Sequence, residues 1–352
     1  MKAKTGNAKR NHRSKKTRVN NSKRNSDKTH VNDSSNKTAA EFYDIRYQNN
    51  YMESWPVEKC SRVENLLRVL RLPENGCVLD FGCGAGVFTS VLKSALPNWE
   101  VAGTDISITA LQIAAANNPD CRFYRLDELK KVNGQFDFIF THHVLEHVPD
   151  LTATAEMFSQ LLKPSGAMLH ILPCADPGSL EHYICILRKD GMIGDSEKRF
   201  FFDEEGHLRR LTTKGLSDLW ISSNFRIKQA FYANRFYGGL KFITTNGFDF
   251  IFDVTDTKSA INRYAAAKLY LLRFMLIAIC ALRKPIDIVA NKRKYGLKSF
   301  SDYLKLALGI FVYPISKCID WALLKLVDLE WKKKHDEAGG SEMYIYFVRS
   351  TP

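Results

Sequence analysis

Three glycines at alternate positions, Gly82, Gly84 and Gly86, follow a short apolar run that closes on Asp80 and Phe81. Glycine lets the backbone approach a bound group closely, and the free N–H groups of a helix start there would face the ligand. Cys83 sits inside the turn. A lone glycine pattern is weak, but its company sharpens it. Asp105 lies about twenty residues on, where a carboxylate can accept from both hydroxyls of a ribose, and Asp127 follows a further apolar run, placed for an adenine amino group. His142, His143 and His147 crowd the end of another apolar run. An imidazole there can take the proton of an acceptor hydroxyl, His143 foremost, or simply cap a turn. His182 is a weaker candidate.

These residues need elements that bring them to one edge. From Ala39 the chain alternates strand-type and helix-type apolar segments, the pattern of a wound α/β sheet. Strands are predicted at Cys77–Phe81, Glu100–Thr104, Cys121–Arg125, Phe136–Thr141, Ala167–Leu172, Phe225–Phe231 and Met343–Val348. Helices are predicted at Ala85–Ala95, Ile106–Ala116, Leu151–Leu162 and Lys214–Ser222. An isolated strand after about a hundred further residues reads as the last strand of the same sheet, with an insertion before it.

Two decoys are set aside. His143-Val144-Leu145-Glu146-His147 spells HxxEH, a zinc-peptidase pattern read backwards. That chemistry needs both histidines on one helical face and a further ligand, whereas Pro149 prevents a long helix here. No metal site is therefore expected. Pro173-Cys174 resembles a cysteine nucleophile that attacks pyrimidines, but the companion cysteine is missing and a buried thiol is the plainer reading.

The formal charge of +13, from 51 Lys+Arg against 38 Asp+Glu, is unevenly placed. Residues 1–38 carry 12 Lys+Arg against Asp27 and Asp33, a net of +10, and residues 258–335 carry 16 against 5 acids, a net of +11. The rest is acidic, which argues against a uniformly basic nucleic-acid-coating domain. The basic arm reads as a mobile tail with too few apolar groups to fold. Eight cysteines with no CxxC pair fit a reduced cytoplasmic setting, and the first 38 residues lack the apolar stretch of a signal peptide.

VLDFGCGAG (78–86), VAGTDIS (101–107), RLDEL (125–129), FDFIFTHHVLEHVPD (136–150) and LLKPSGAMLHILP (161–173) together resemble the class I S-adenosylmethionine-dependent methyltransferases, and within them the ubiquinone-biosynthesis O-methyltransferase-like group. The resemblance covers roughly residues 40–235 and the last strand. It implies a Rossmann-like seven-stranded sheet with helices on both faces and an antiparallel last strand. It places the methyl donor, S-adenosylmethionine, against Asp80, Gly82, Cys83, Gly84 and Gly86, its ribose on Asp105 and its adenine near Ile106 and Asp127. It also implies that Tyr43, Tyr47 and Trp55 form a lid. A dinucleotide-binding sheet is the direct competitor. The glycines here lack the third position of GxGxxG, and LEHVPD has no dehydrogenase counterpart.

The division read from this is a basic tail (1–38), a methyltransferase domain (39–240 with 341–352) and a helical insertion (241–340). Within the insertion, Ala265–Leu282 is apolar on nearly every side, short for a membrane span and interrupted by Arg273. Leu304–Val327 is amphipathic, with a kink expected at Pro314. Arg283-Lys284, Lys292-Arg293-Lys294 and Lys332-Lys333-Lys334 flank them. Apolar helices rimmed by basic residues suit an anionic membrane surface and a lipid-type or lipid-linked acceptor. An internal cap or dimer interface, an RNA methyltransferase docking through the basic arm, and a donor-binding scaffold without catalysis are the alternatives.

Overall fold

The computed structural model describes residues 39–49, 51–52, 54–129, 131–194, 199–204, 206–290 and 300–350. The basic arm and the Lys292-Arg293-Lys294 cluster lie outside the described residues. Seven strands, β1 (Gly76–Phe81), β2 (Trp99–Asp105), β3 (Arg122–Arg125), β4 (Phe136–His142), β5 (Leu162–Pro173), β6 (Phe225–Ala233) and β7 (Glu342–Arg349), form one sheet in the order β3-β2-β1-β4-β5-β7-β6. Neighbours among β1 to β5 are parallel, and β7 runs antiparallel to both β5 and β6. The expected α/β sheet with its reversed last strand is the one observed.

Alternation along each strand decides which face a side chain joins. Val78, Phe138 and Leu169 pack with α2 (Val57–Val69) and α3 (Val87–Ala95) through Val63, Leu67 and Leu92. Leu79, Ile139 and Met168 pack on the other face with α5 (Leu151–Leu161) and α7 (Thr213–Ile221) through Phe158 and Trp220. Both sets are essentially inaccessible to solvent, and each fully buried side chain contributes about 1.5–3 kcal/mol. His170 interrupts this apolar run. It holds Thr141 Oγ1 at 2.9 Å through Nδ1 and stacks on Trp220, and burial pushes its pKa down to about 3, so it sits in the core uncharged.

The remaining helices are α1 (Ala39–Gln48), α4 (Ile108–Asn117), α6 (Leu180–Ile186), α8 (Tyr237–Thr245), α9 (Phe248–Val254), α10 (Arg263–Ala290) and α11 (Phe300–Lys334). α10 and α11 outrun the predicted segments at both ends, and α11 continues through Pro314. They pack on each other and on α8. Ile184, Phe200, Leu240, Ile251, Leu269, Leu276 and Leu323 form a core of their own. That core takes in Leu180, Ile184, Cys185, Leu187, Phe200 and Phe201, well ahead of position 241, because α6 lies against α8.

Candidate active site

The carboxyl ends of β1, β2 and β4, the turn after β4 and the segment that begins with α1 enclose a cavity of about 760 Å³. That volume is in the range of small-molecule sites. Its wall includes Asp80, Asp105, Asp150, Glu156 and Glu204 and, among the described residues, no lysine or arginine. Tyr43, Tyr47, Tyr51 and Trp55 line one side. Acidic and aromatic walls without a fixed cation favour a positively charged guest.

β1 ends at the glycine turn, where Gly82, Gly84 and Gly86 all have positive φ, 77°, 52° and 82°. A Cβ on Gly84 would come within 2.5 Å of the Tyr47 hydroxyl, so the bare backbone is what lets the aromatic side chain close on the turn. Asp105 ends β2. Its two oxygens accept from the N–H groups of Gly84 and Ser107, each at 2.9 Å, which locks the carboxylate in place and leaves its remaining lone pairs for the cavity. Burial raises its pKa, against those bonds. Asp80 is fully buried with the Thr89 hydroxyl donating to it at 2.6 Å, and desolvation pushes it up to about 7. Ile106 lies at the cavity's edge, and the Cys83 thiol is kept protonated by burial.

Asp127 is a correction. It is exposed, pairs with Arg125 at 3.3 Å and does not line the cavity, because the chain after β3 makes a helical turn, Leu126–Leu129, that carries Leu126 inward and Asp127 outward.

The three histidines do three different things. His142, the last residue of β4, stacks on Phe88 at 3.8 Å between ring centres and meets Trp55 edge-on at 4.6 Å. Desolvation holds its pKa well below the usual range, and its buried Nε2 has no hydrogen-bond partner. His143 adopts a left-handed conformation, φ 54°, at the sharp turn out of the strand. Its Nε2 lies 2.9 Å from Glu342 Oε1 and 3.0 Å from Lys59 Nζ, and its Nδ1 lies 3.0 Å from Glu146 Oε1. Both ring nitrogens are therefore occupied by the protein, and the leading candidate for a general base has no free lone pair to offer. Burial and Lys59 oppose its charge, but the two carboxylates win and its pKa is raised. His147 donates from Nδ1 to the Gly206 carbonyl at 2.8 Å and stands edge-on to Tyr43. His182 is on α6, outside the cavity lining, and Cys174 is a fully buried thiol that accepts the Asp176 N–H.

Several contributors were not singled out from the sequence. Asp44 accepts from the Ser107 hydroxyl and from the Thr109 N–H at 3.0 Å, tying α1 to the start of α4. Lys59 and Glu342 meet in a buried ion pair beside His143, and Tyr344 donates to Glu342 Oε2 at 2.7 Å. Burial opposes the Glu342 charge, yet Lys59 and His143 hold its carboxyl well below the usual range. Glu342 reaches the site because β7 is reversed: paired with Pro173, it presents its first residue at the edge where the parallel strands present their last. Glu204 pairs with Arg46 at 2.9 Å and accepts from Tyr51 at 3.0 Å, and His207 follows it into the cavity wall.

Residues 47–230, just over half of the chain, match the family described as "Methyltransferase domain". The chain belongs to the methyltransferase-domain family. Among curated proteins, a ribosomal RNA small subunit methyltransferase C of Shewanella loihica is 37% identical over 98 residues, 27% of this chain and 28% of that protein. A trans-aconitate 2-methyltransferase of Variovorax paradoxus is 31% identical over 119 residues, 33% of this chain and 46% of that protein. The chain thus spans less than half the length of these relatives. A solved S-adenosylmethionine dependent methyltransferase from Mesorhizobium loti aligns with a TM-score of 0.35 at 22% identity over 47% of this chain and 82% of its own.

S-Adenosylmethionine, the donor of class I methyltransferase domains, fits what lines this cavity. Its sulfonium is a cation and the wall is acidic and aromatic. Asp105 would hold the ribose hydroxyls, the 82–86 turn the amino-acid end, and Ile106 and Leu126 the apolar side of the adenine. Bound there, the donor supplies an electrophilic methyl group. Tyr43, Tyr47 and Trp55 line one side of the cavity, and the uncharged His142 lies in its wall.

Proposed function

We propose that this chain transfers a methyl group from S-adenosylmethionine to the oxygen of a lipid-type or lipid-linked acceptor at an anionic membrane surface, as in the ubiquinone-biosynthesis O-methyltransferase-like group. The observation that carries the acceptor class is the solvent face of α10. Tyr264, Tyr270, Leu271, Phe274 and Leu282 are all exposed, Leu271 at 72% and Phe274 at 70%, with the Lys268 ammonium lying over the Tyr264 ring. Arg273, which would oppose contact with lipid, turns inward instead and donates to the Thr255 carbonyl and hydroxyl. The apolar surface continues on α11 through Leu304, Leu308, Phe311 and Ile315. Arg263–Ile286 and Leu306–Lys334 are each long and apolar enough to cross a membrane, but lying in the interface suits a helix that also packs on a folded core.

Within the site, His142 is our candidate for the group that takes the acceptor's proton, since its Nε2 is unpartnered while both nitrogens of His143 are engaged. An RNA acceptor is the second reading, favoured by the relatives named as ribosomal RNA methyltransferases. Calorimetry with S-adenosylmethionine, then transfer of its tritiated methyl group into separated lipid and RNA fractions, tests both. Label in the lipid fraction is expected. Label confined to RNA would overturn the acceptor assignment, and donor binding without transfer to either would leave a donor-binding scaffold.

A further inference from the structure

The HxxEH segment has a partner that the sequence does not place beside it. A carboxylate oxygen of Glu146 and a ring nitrogen each of His147 and His207 lie within 4.8 Å of one another. We infer that Glu146, His147 and His207 form a binding site for a divalent transition-metal ion in the wall of the methyl-donor cavity.

Several observations point to a cation. Glu146 is wholly buried; its Oε1 lies 3.0 Å from His143 Nδ1, and no hydrogen-bond donor meets its Oε2. A buried carboxylate oxygen left unpaired is costly, and a cation held with His147 and His207 would complete it. His207 Nδ1 is buried without a partner as well, with Asp203 no nearer than 3.9 Å. The Gly206 carbonyl takes the Nδ1 proton of His147, which fixes the ring and leaves Nε2 its lone pair, the arrangement that carbonyls behind metal-ligating histidines produce. His147 and His207 both line the cavity, whose wall holds Glu204 and no lysine or arginine among the described residues.

The expectation of no metal site rested on the lack of a long helix and of a further ligand. The structure answers both points differently. A short helical turn, Leu145–His147, orients Glu146 and His147 together, and the segment after Glu204 delivers His207. A second cluster, His142, His143 and Glu342, is as compact, but there Lys59 already stands in the cation's place, bonded to both His143 and Glu342.

Two imidazoles and one carboxylate with a further coordination position open suit zinc or a similar first-row ion. A cation at about 2.1 Å from each ligand atom would draw the three together. The open position would face the cavity, where it could polarise an acceptor oxygen. Metal binding is independent of which acceptor the enzyme uses and is read without any turnover.

The full chain, stripped with chelator, is to be equilibrated separately with Zn²⁺ and Co²⁺ and desalted, its metal measured by mass spectrometry and the cobalt form by visible absorption. About one equivalent is expected, with a cobalt d–d spectrum typical of nitrogen and oxygen ligands. His207→Ala and Glu146→Gln should each lose at least tenfold in affinity for the metal while keeping the wild-type circular dichroism spectrum. His182→Ala should retain the metal. A wild-type chain that holds no more metal than His207→Ala or Glu146→Gln, all three folded by circular dichroism, overturns the site.

Discussion

Asp80 is legible in the sequence as a carboxylate beside a glycine turn, but its energetic role is set by burial. Raised to about 7 by desolvation, it costs stability in its charged form. A raised carboxylate favours the folded state below its unfolded pKa, and that contribution is lost as pH rises from about 4 to about 7. Asp80→Asn should therefore stabilise the donor-free protein at pH 8 by on the order of a few kcal/mol, read as a higher thermal midpoint. The same charge should attract the sulfonium, so donor affinity is expected to rise as pH passes upward through 7. Calorimetry between pH 6 and 8 checks this, and the profile of Asp80→Asn should be flat. His142→Gln should lower the rate of transfer on the order of 100-fold with donor affinity retained; an unchanged rate removes His142 as the base. The histidines could be named from the sequence, but their roles could not. Which imidazole keeps a free nitrogen depends on Lys59, Glu146 and Glu342, and Lys59 and Glu342 lie 84 and 199 positions from His143.

At the scale of elements, the Asp44 side chain ties α1 to the start of α4 beside the cavity. Asp44 bonds the Ser107 hydroxyl and the Thr109 N–H, while Ser107 itself caps α4 by accepting the Ala110 N–H at 3.1 Å. Capping contacts of this type contribute about 1 kcal/mol. Asp44→Ala should weaken donor binding by about tenfold through a loosened α1, with the sheet's stability little changed. Calorimetry beside a thermal melt separates the two, and an equal loss in both would show that α1 is not an independent lid. Strands and helices of the sheet were readable because their apolar residues recur at two or 3.6 positions. The helical turn after β3 was not, since four residues carry no period, and that turn is what removes Asp127 from the site.

On the scale of the whole molecule, the helical appendage sets an exposed apolar surface, edged by basic side chains, beside the methyl-transfer body. Leu271→Glu combined with Phe274→Glu leaves the buried stripe of Leu269, Leu276 and Cys280 intact. That double variant should stay folded, keep its affinity for the donor and lose at least tenfold in co-flotation with anionic liposomes. Wild-type protein that stays unbound at low salt would overturn the membrane reading.

The sequence by itself determined the sheet, its reversed last strand through the family resemblance, the glycine turn and the two carboxylates at consecutive strand ends, because those features depend on local periodicity and on residues close together in the chain. Only the tertiary structure decided that Glu342 meets Lys59 and His143, that His207 comes to Glu146 and His147, and that Arg273 turns away from solvent. Each of these depends on chain segments brought together by a reversed strand, a loop or a packed helix, and no local pattern encodes such meetings.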